Sequence, residues 1–392
     1  MTLTRRGFLL AGATAVLRPW AAFAQKNPLK ITDIDPVLLP GGRLFVLVRT
    51  DQGITGLGEV SPMNAKAAAT LITTAFKSRL VGRNPLDIER CWETLFFPTY
   101  KQGPSGLQPE ALSGVDIALW DILGKVTGLP IHQLLGGKRR GRVRVYASIG
   151  GASRQTPAQM ARRAESAVKR GFTAVKIRQD YGPVPPDVNP AKDLAVLREV
   201  RKTIGPDVEL KYDVNNGYSV PTAIRIGKEI GGPPYNVIHY EEPLAQTDYA
   251  GYAKVVDAVP VPVAAGEHEY TRWQFRDLIQ QANVAILQPD LIKCAGMTEA
   301  VKIAALISAH HKLLVPHQTS PHVGQAANLH YTSVFTAGET AQELAEGSLD
   351  SPQHALFKNP LEFKDGRLTV PTGPGLGLEL DEGKLREMRE KS

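Results

Sequence analysis

The chain has 392 residues, of which 43% are hydrophobic and 22% charged, enough for one large domain and a smaller one. Its formal net charge is +7, but Arg5, Arg6 and Arg18 precede residue 25, and the later basic residues are interspersed with acidic ones. This distribution leaves no basic stripe that could follow a phosphate backbone, so it argues against a nucleic-acid partner.

The N-terminal segment has the pattern of an export signal. The twin-arginine pair Arg5-Arg6 precedes an apolar run to Leu17, and the small-residue site Ala22-Phe23-Ala24 comes after it. This run is too short to span a bilayer, and Arg18-Pro19 interrupts it. The pattern therefore predicts a twin-arginine signal peptide over residues 1–24, export to the periplasm, and no stable membrane anchor after cleavage. The alternative is a disordered basic tail.

The next segment has strand patterns followed by helix patterns. Three strand patterns occupy residues 29–60 and are separated by turns at 40–42 and 51–53. Helical patterns extend from residue 65 to about 97 and from 109 to 128. This order predicts a separate α+β unit over residues 25–142.

From residue 143 onward, strand and helix patterns alternate. Five successive apolar runs end in a polar group, and these groups are 23 to 28 positions apart: Asp213, Glu241, Glu267, Asp290 and His317. That separation matches one strand plus a returning helix. Further runs near 144–150, 174–179 and 340–346 bring the number of strands to eight. The pattern predicts a TIM-like (β/α)8 barrel over residues 143–350, with the five polar groups at one mouth.

The polar strand ends predict a metal site. Three carboxylates that face one point cannot all ionise without a counter-cation, and hard oxygen ligands suit Mg²⁺. Each acid could instead cap the following helix, but Glu is a poor N-cap, and Glu241 and Glu267 both end apolar runs. Because side chains alternate along a strand, Asn215 is expected to face the site with Asp213, whereas Glu242 is expected to point away.

Nearly all of the chain after residue 28 resembles the enolase superfamily, specifically its mandelate racemase-like branch of sugar-acid dehydratases and racemases. The resemblance rests on SGVDIALWDILGKVTGLPIHQLLGG (residues 113–137), KYDVNNGYS, YEEP, AAGEHEYTRW and VPHQTS. It implies an α/β fold in which a modified (β/α)8 barrel carries an N-terminal α+β capping domain, completed by the C-terminal tail at 351–392. It also implies two substrate-selecting loops near 39–43 and 61–64, and it leaves a homo-oligomer open.

The resemblance implies a role for each polar strand end. The metal ligands of the family match Asp213, Glu241 and Glu267. His317 matches the general base, and Asp290 matches the acid that orients its ring and raises its basicity. Glu343 aligns with a glutamate that hydrogen-bonds the substrate carboxylate, and the GEH triplet makes His268 a substrate contact.

The second strand of the barrel departs from the racemase pattern. Lys176 and Arg178 are two positions apart, so both are expected to point into the mouth. Racemases of the family carry Lys-x-Lys here, with the second lysine as a base, whereas a guanidinium does not give up its proton. The two cations are therefore expected to hold the substrate carboxylate. Lys176 would act as a second base only if burial lowered its pKa.

These features favour a Mg²⁺-dependent hydro-lyase that removes the proton α to a carboxylate. The expected reaction dehydrates a small sugar acid, an aldonate or an aldarate, to a 2-keto-3-deoxy acid. A racemase or epimerase of a 2-hydroxy acid is the first alternative, and cycloisomerisation is disfavoured because the two-lysine pattern is absent. A periplasmic sugar-acid-binding protein would explain the export signal, but not a His–Asp pair beside three carboxylates.

Overall fold

The computed structural model describes residues 28–318 and 320–389. The first described elements form a three-stranded antiparallel sheet in the order β1 (Ile31–Leu39), β2 (Arg43–Thr50) and β3 (Thr55–Val60). Five helices come next: α1 (Ala65–Leu71), α2 (Lys77–Leu80), α3 (Ile88–Thr99), α4 (Leu107–Thr127) and α5 (Ile131–Leu134). The strands coincide with the three predicted β patterns.

Glycines allow α4 to pack directly against β3. A Cβ atom on Gly58 would lie 1.8 Å from the carbonyl oxygen of Gly114, and one on Gly56 would lie 2.1 Å from that of Ala118. Larger residues would hold the two backbones apart. The long helix α4 therefore lies close against the sheet, and its apolar side chains fill a core with those of β1 and β2.

Eight of the ten strands in the second sheet are parallel, in the order β10-β9-β8-β7-β6-β5-β4 with β11 paired to β4. The strands are β4 (Arg142–Ile149), β5 (Ala174–Arg178), β6 (Glu209–Asp213), β7 (Val237–Glu241), β8 (Val263–Ala265), β9 (Ile286–Leu287), β10 (Leu313–Leu314) and β11 (Gln342–Ala345). The helices between them are α6 (Pro157–Lys169), α7 (Pro190–Ile204), α8 (Val220–Ile230), α9 (Tyr249–Ala258), α10 (Arg272–Asp277), α11 (Gly296–Ala309) and α12 (Val323–Phe335). The structure confirms the predicted barrel-like α/β domain with an N-terminal cap.

Hydrogen bonds from α3 and α4 join the cap to the barrel. The indole of Trp92 donates to the carbonyl of Ala295 at 2.9 Å. The backbone and hydroxyl of Thr298 donate to Asp116 at 2.9 and 2.6 Å. Since Thr298 lies in the first turn of α11, these bonds place α4 beside the mouth of the barrel.

The C-terminal segment contacts both parts. It contains β12 (Phe363–Lys364), β13 (Arg367–Thr369) and α13 (Glu382–Arg389), and β13 pairs antiparallel with β4. The backbone of Leu376 donates to Asp121 of α4 at 2.8 Å, so the tail returns to the cap as the resemblance implied. No helix within the described residues is long and apolar enough to cross a membrane. The predicted signal peptide lies outside the described residues.

Candidate active site

The five predicted polar groups lie at or just after the carboxyl ends of consecutive parallel strands. Asp213 and Glu241 are the last residues of β6 and β7. Glu267, Asp290 and His317 come two or three residues after β8, β9 and β10. All five side chains are buried. Because these strand ends share one edge of the sheet, the groups converge on one mouth.

His317 is held between two carboxylates. Its Nδ1 lies 2.7 Å from Asp290 Oδ2, and its Nε2 lies 3.1 Å from Glu267 Oε2. The other oxygen of Asp290 accepts the backbone N–H of Ile292 at 3.0 Å. Burial opposes protonation of the ring, but Glu267 and Asp290 favour it, and the pKa of His317 is raised above its ordinary value. The contacts fix the ring and direct Nε2 towards a predicted metal ligand.

Lys176 has three carboxylates around its amine. Its Nζ lies 2.6 Å from Glu241 Oε1, 2.9 Å from Glu343 Oε1 and 3.7 Å from Asp213 Oδ2. Burial alone would lower the pKa of Lys176, but Glu241 and Glu343 raise it well above its ordinary value. Burial therefore does not turn Lys176 into a second base here, and its amine is a cation within the site.

Arg178 has a different environment, although it is only two residues away. Its Nε donates to Asp180 Oδ1 at 2.6 Å, and its side chain is 32% exposed. The guanidinium lies against the backbone of Gly150, where an added Cβ would be 2.4 Å from Nη2. Arg178 therefore lies at the rim of the mouth. Four strands of the sheet separate its strand, β5, from β10, which precedes His317.

Asn215 and Glu242 both leave strand geometry just after their strands end. Asn215 has a φ of 51°, and its backbone and side-chain N–H groups donate to Asp213 at 2.8 and 3.2 Å. Glu242 has a φ of 38° and does not point away from the site, contrary to the sequence expectation. The strand alternation ends at Glu241, and the left-handed backbone turns the next side chain back.

The side chains of Glu242, Glu267 and His268 form a cluster of candidate metal ligands. One ligand atom from each lies within 4.8 Å of the others, a geometry that could hold a metal ion. His268 Nε2 is 3.1 Å from Glu267 Oε1. Burial and the charge of Glu267 raise the pKa of Glu242 well above its ordinary value, because neighbouring carboxylates oppose each other's ionisation.

The residues present fit a divalent cation. The pKa of Asp213 is raised well above its ordinary value by burial and then by Glu241. Despite burial, Lys176 holds the pKa of Glu241 below its ordinary value, and His317 does the same for Glu267, so Asp213 and Glu242 are the carboxylates of the site that lack compensating positive charge. An oxygen-rich donor set with this deficit suits Mg²⁺. Asp213, Glu241 and Glu267 would hold the ion, with Glu242 and His268 beside them.

Sequence reasoning missed Lys293 and gave no partner for Glu343. The buried amine of Lys293 lies 3.6 Å from Glu267 Oε1 and 3.9 Å from Asp290 Oδ2. A lysine within the apolar run Leu291–Met297 was the only available signal for it. Glu343 lies on β11, where its Oε2 accepts the backbone N–H of Gln318 at 3.2 Å and its Oε1 contacts Lys176.

Both parts of the chain match models of known families. Residues 42–136 match the mandelate racemase / muconate lactonizing enzyme N-terminal domain, and residues 159–384 match the enolase C-terminal domain-like family. The chain is 35% identical over 356 residues to a D-galactarolactone cycloisomerase of Agrobacterium fabrum, covering 88% of this chain and 91% of the relative. It is 32% identical over 373 residues to a D-galactonate dehydratase of Ralstonia pickettii, covering 93% of this chain and 95% of the relative.

A solved structure has the same architecture. The crystal structure of a mandelate racemase/muconate lactonizing protein from Paracoccus denitrificans, complexed with magnesium, gives a TM-score of 0.88 at 35% identity. The match covers 92% of this chain and 97% of that chain. Together with the strand-end carboxylates and the His–Asp pair, these matches show that the chain belongs to the mandelate racemase/muconate lactonizing enzyme family of the enolase superfamily.

Proposed function

We propose that the protein is a Mg²⁺-dependent hydro-lyase that dehydrates a sugar acid to a 2-keto-3-deoxy acid. The observation that carries this proposal is the buried His317–Asp290 pair, which directs Nε2 towards the strand-end carboxylates. The relatives named as D-galactonate and arabinonate dehydratases, at 30 to 33% identity, support the same reaction class.

His317 is the base for the first step. Because Nδ1 is hydrogen-bonded to Asp290, Nε2 is the nitrogen that takes the proton from the carbon next to the substrate carboxylate. Bound Mg²⁺ would stabilise the negative charge that develops on that carboxylate. Lys176 adds a fixed positive charge on the β5 side, where it contacts Glu241 and Glu343.

His317 can also supply the proton for the second step. After deprotonation of the α-carbon, its imidazolium protonates the departing β-hydroxyl. The C–O bond breaks, water leaves, and the resulting enol tautomerises to the 2-keto acid. One group thus takes and returns one proton, and the step needs no oxidant or reductant.

Racemisation would need a second proton-transfer group on the opposite face of the α-carbon. In this chain Arg178 occupies the position where racemases of the family carry a basic lysine, and a guanidinium stays protonated. The relative named as a D-galactarolactone cycloisomerase makes isomerisation of a sugar-acid lactone the second candidate function. Both candidates use proton abstraction by His317, so the product distinguishes them.

The test is product analysis with a panel of aldonic acids, aldaric acids and their lactones in D₂O, followed by NMR. We expect a 2-keto-3-deoxy acid that disappears with EDTA and returns with Mg²⁺. His317→Asn should reduce kcat by about 10³-fold, the range for loss of a general base, while acid binding persists. The exposed His311→Asn is the matched control and should retain activity. Accumulation of an α-deuterated epimer without 2-keto acid would contradict dehydration.

We further propose that the enzyme acts in the periplasm. The supporting observation is the twin-arginine pattern at Arg5-Arg6 with the small-residue site before Gln25. Mass spectrometry of the exported protein should find a mature terminus near Gln25. An intact Met1 terminus would contradict this assignment.

A further inference from the structure

A buried carboxylate of the cap lies beside the candidate site and is not used in the proposed reaction. Glu110 is in the first turn of α4 and is 1% exposed. Its Oε1 accepts the hydroxyl of Tyr270 at 3.3 Å, and Tyr270 lies three residues after Glu267. Among the residues that the structure describes, Glu110 Oε2 has no hydrogen-bond partner. Oε2 is therefore buried without a well-formed hydrogen bond, although the Asn64 side chain lies close enough to favour the charged form of the carboxylate.

Little positive charge is available to this carboxylate. Burial raises the pKa of Glu110, and Lys293, Asn64 and Tyr270 only partly offset that effect. The amine of Lys293 is already close to two other carboxylates, at 3.6 Å from Glu267 and 3.9 Å from Asp290. A buried acceptor without a donor is costly, so this position is suited to a ligand that brings a donor.

Glu110 lies where the cap meets the β8 and β9 side of the mouth. Four segments meet there: the loop ending at Asn64, the start of α4, the loop after β8 with Tyr270, and the loop after β9 with Lys293. The cations expected to hold the reacting carboxylate, Lys176 and Arg178, lie on β5, three strands from β8. On the proposed function, a sugar acid bound by its C1 carboxylate near β5 and deprotonated by His317 would extend across the strand ends towards the β8–β9 side, where Glu110 contacts Tyr270.

We infer that Glu110 is a specificity-determining residue that accepts hydrogen bonds from the terminal hydroxyl groups of the substrate. This inference rests on the proposed function and narrows it to acids with a neutral hydroxylated tail, the aldonates. An aldarate carries a second carboxylate, which has only acceptor oxygens when ionised. It would leave Glu110 Oε2 without a donor and add negative charge beside Glu110, Glu267 and Asp290, so it is rejected.

The experiment compares matched acids that differ only at the tail, D-galactonate with galactarate and D-gluconate with D-glucarate. Their binding to the Mg²⁺-loaded protein is measured by calorimetry, alongside kcat/KM. We expect wild type to favour the aldonate of each pair by about tenfold or more, and Glu110→Gln to reduce that preference by about tenfold. The amide keeps the size of the side chain but removes the negative charge and one acceptor.

Two further variants keep the result interpretable. Glu299→Gln is the matched control, because Glu299 is also buried but its oxygens accept the backbone and guanidinium of Arg272 at 2.8 and 2.6 Å. It should lower stability without changing the acid preference. Tyr270→Phe removes the hydroxyl that positions Glu110 and should reduce the preference by about threefold. It replaces Glu110→Gln if that variant does not fold.

The inference is overturned if wild type prefers the aldarate, binds neither acid, or keeps its preference in both Glu110→Gln and Tyr270→Phe. Turnover with an unchanged preference in these variants would remove the role of Glu110 and leave the dehydratase proposal standing. Selective aldonate binding that depends on Glu110, without formation of a 2-keto acid, would support the role of Glu110 and contradict the dehydratase proposal.

Discussion

Lys176 and Arg178 are both positively charged residues of β5, but their different surroundings give them different roles. Lys176 is buried against Glu241 and Glu343, so its charge is fixed at the base of the mouth. Arg178 lies at the rim and pairs with Asp180. By the family resemblance, Arg178 is at the position where racemases carry a basic lysine, so we expect it to be the residue that separates one-base from two-base chemistry.

Arg178→Lys tests this division. We expect the variant to exchange the substrate α-proton with D₂O and to form some epimer, because a lysine amine can release a proton and a guanidinium cannot. Loss of the guanidinium contacts should also lower kcat/KM for dehydration by about 10- to 100-fold. Proton NMR measures both effects. Arg162→Lys, on the exposed side of α6, is the control, and a variant with no more exchange than wild type would contradict the assignment.

At the scale of elements, the site depends on the residues just beyond each strand as much as on the strands themselves. Asn215, Asn216 and Glu242 have φ values of 51°, 66° and 38°, and all three lie just beyond β6 or β7. Their left-handed backbone ends the strand alternation and brings polar groups back towards Asp213 and Glu267. A second feature, the close contact of β3 with α4, holds Glu110 and Asp116 beside the barrel.

Gly58→Ala should disrupt this contact between β3 and α4. The added methyl group would lie 1.8 Å from the carbonyl oxygen of Gly114, so the helix would have to move. We expect a loss of about 3 kcal/mol in the free energy of unfolding, at the upper end of the range for overpacking. Chemical denaturation measures it. Gly141→Ala, with nothing within 4 Å of the added Cβ, should change stability by less than about 0.5 kcal/mol. Equal effects at both positions would contradict the packing argument.

His330 on α12 joins α5 to the C-terminal segment and should make stability depend on pH. Its Nδ1 accepts the backbone N–H of His132 at 3.2 Å, and its Nε2 contacts the carbonyl of Leu376 at 3.1 Å. Burial lowers the pKa of His330 to about 3. Below the ordinary pKa of about 6.5, the unfolded chain binds a proton that the folded ring does not. The contribution of the neutral His330 ring to the free energy of unfolding is therefore fully present above pH 6.5 and is lost as the pH falls towards 3.

The expected loss from His330 between pH 7.5 and pH 5 is about 2 kcal/mol in the free energy of unfolding. His330→Gln should be less stable at pH 7.5 but should show a smaller decrease on acidification. Urea denaturation at the two pH values measures the difference, with the exposed His310→Gln as control. An unchanged decrease in His330→Gln would contradict the assignment.

At the scale of the whole molecule, the cap and the tail both contact the barrel, and the buried acids fall into two groups. Asp116 and Asp121 of α4 have structural roles, because they accept hydrogen bonds from the backbone N–H groups of Thr298, Leu57 and Leu376. Asp213 and Glu242, by contrast, are buried beside other carboxylates that oppose their ionisation. Folding therefore brings together carboxylates that a divalent cation would stabilise.

Mg²⁺ should stabilise the whole protein through these acids. At a concentration one hundred times its Kd, a ligand that binds only the folded state adds about 2.7 kcal/mol to the free energy of unfolding. Thermal unfolding with Mg²⁺ and with EDTA measures this. Glu241→Gln should lose most of the increase and all turnover, whereas the exposed Glu379→Gln should keep both. An equal increase of the melting temperature in Glu241→Gln would contradict the metal assignment.

The sequence by itself determined the order of the elements and the identity of the strand-end groups. Apolar runs at a regular spacing allow one parallel arrangement in which Asp213, Glu241, Glu267, Asp290 and His317 meet, and the structure places each at or just after its strand. The contact between His317 and Asp290 also agreed with this spacing. Such predictions succeed because the strand period and the length of a βα unit are local properties.

Only the tertiary structure decided the contacts that join distant segments. Glu110 and Tyr270 are 160 positions apart, and neither residue lies in a pattern that relates it to the other. The direction of Glu242 depends on one backbone torsion, and the environment of Lys176 depends on Glu343, at the far end of the barrel sequence. These features arise from the close packing of the cap on the barrel and from charges that burial forces together, and no local periodicity records them.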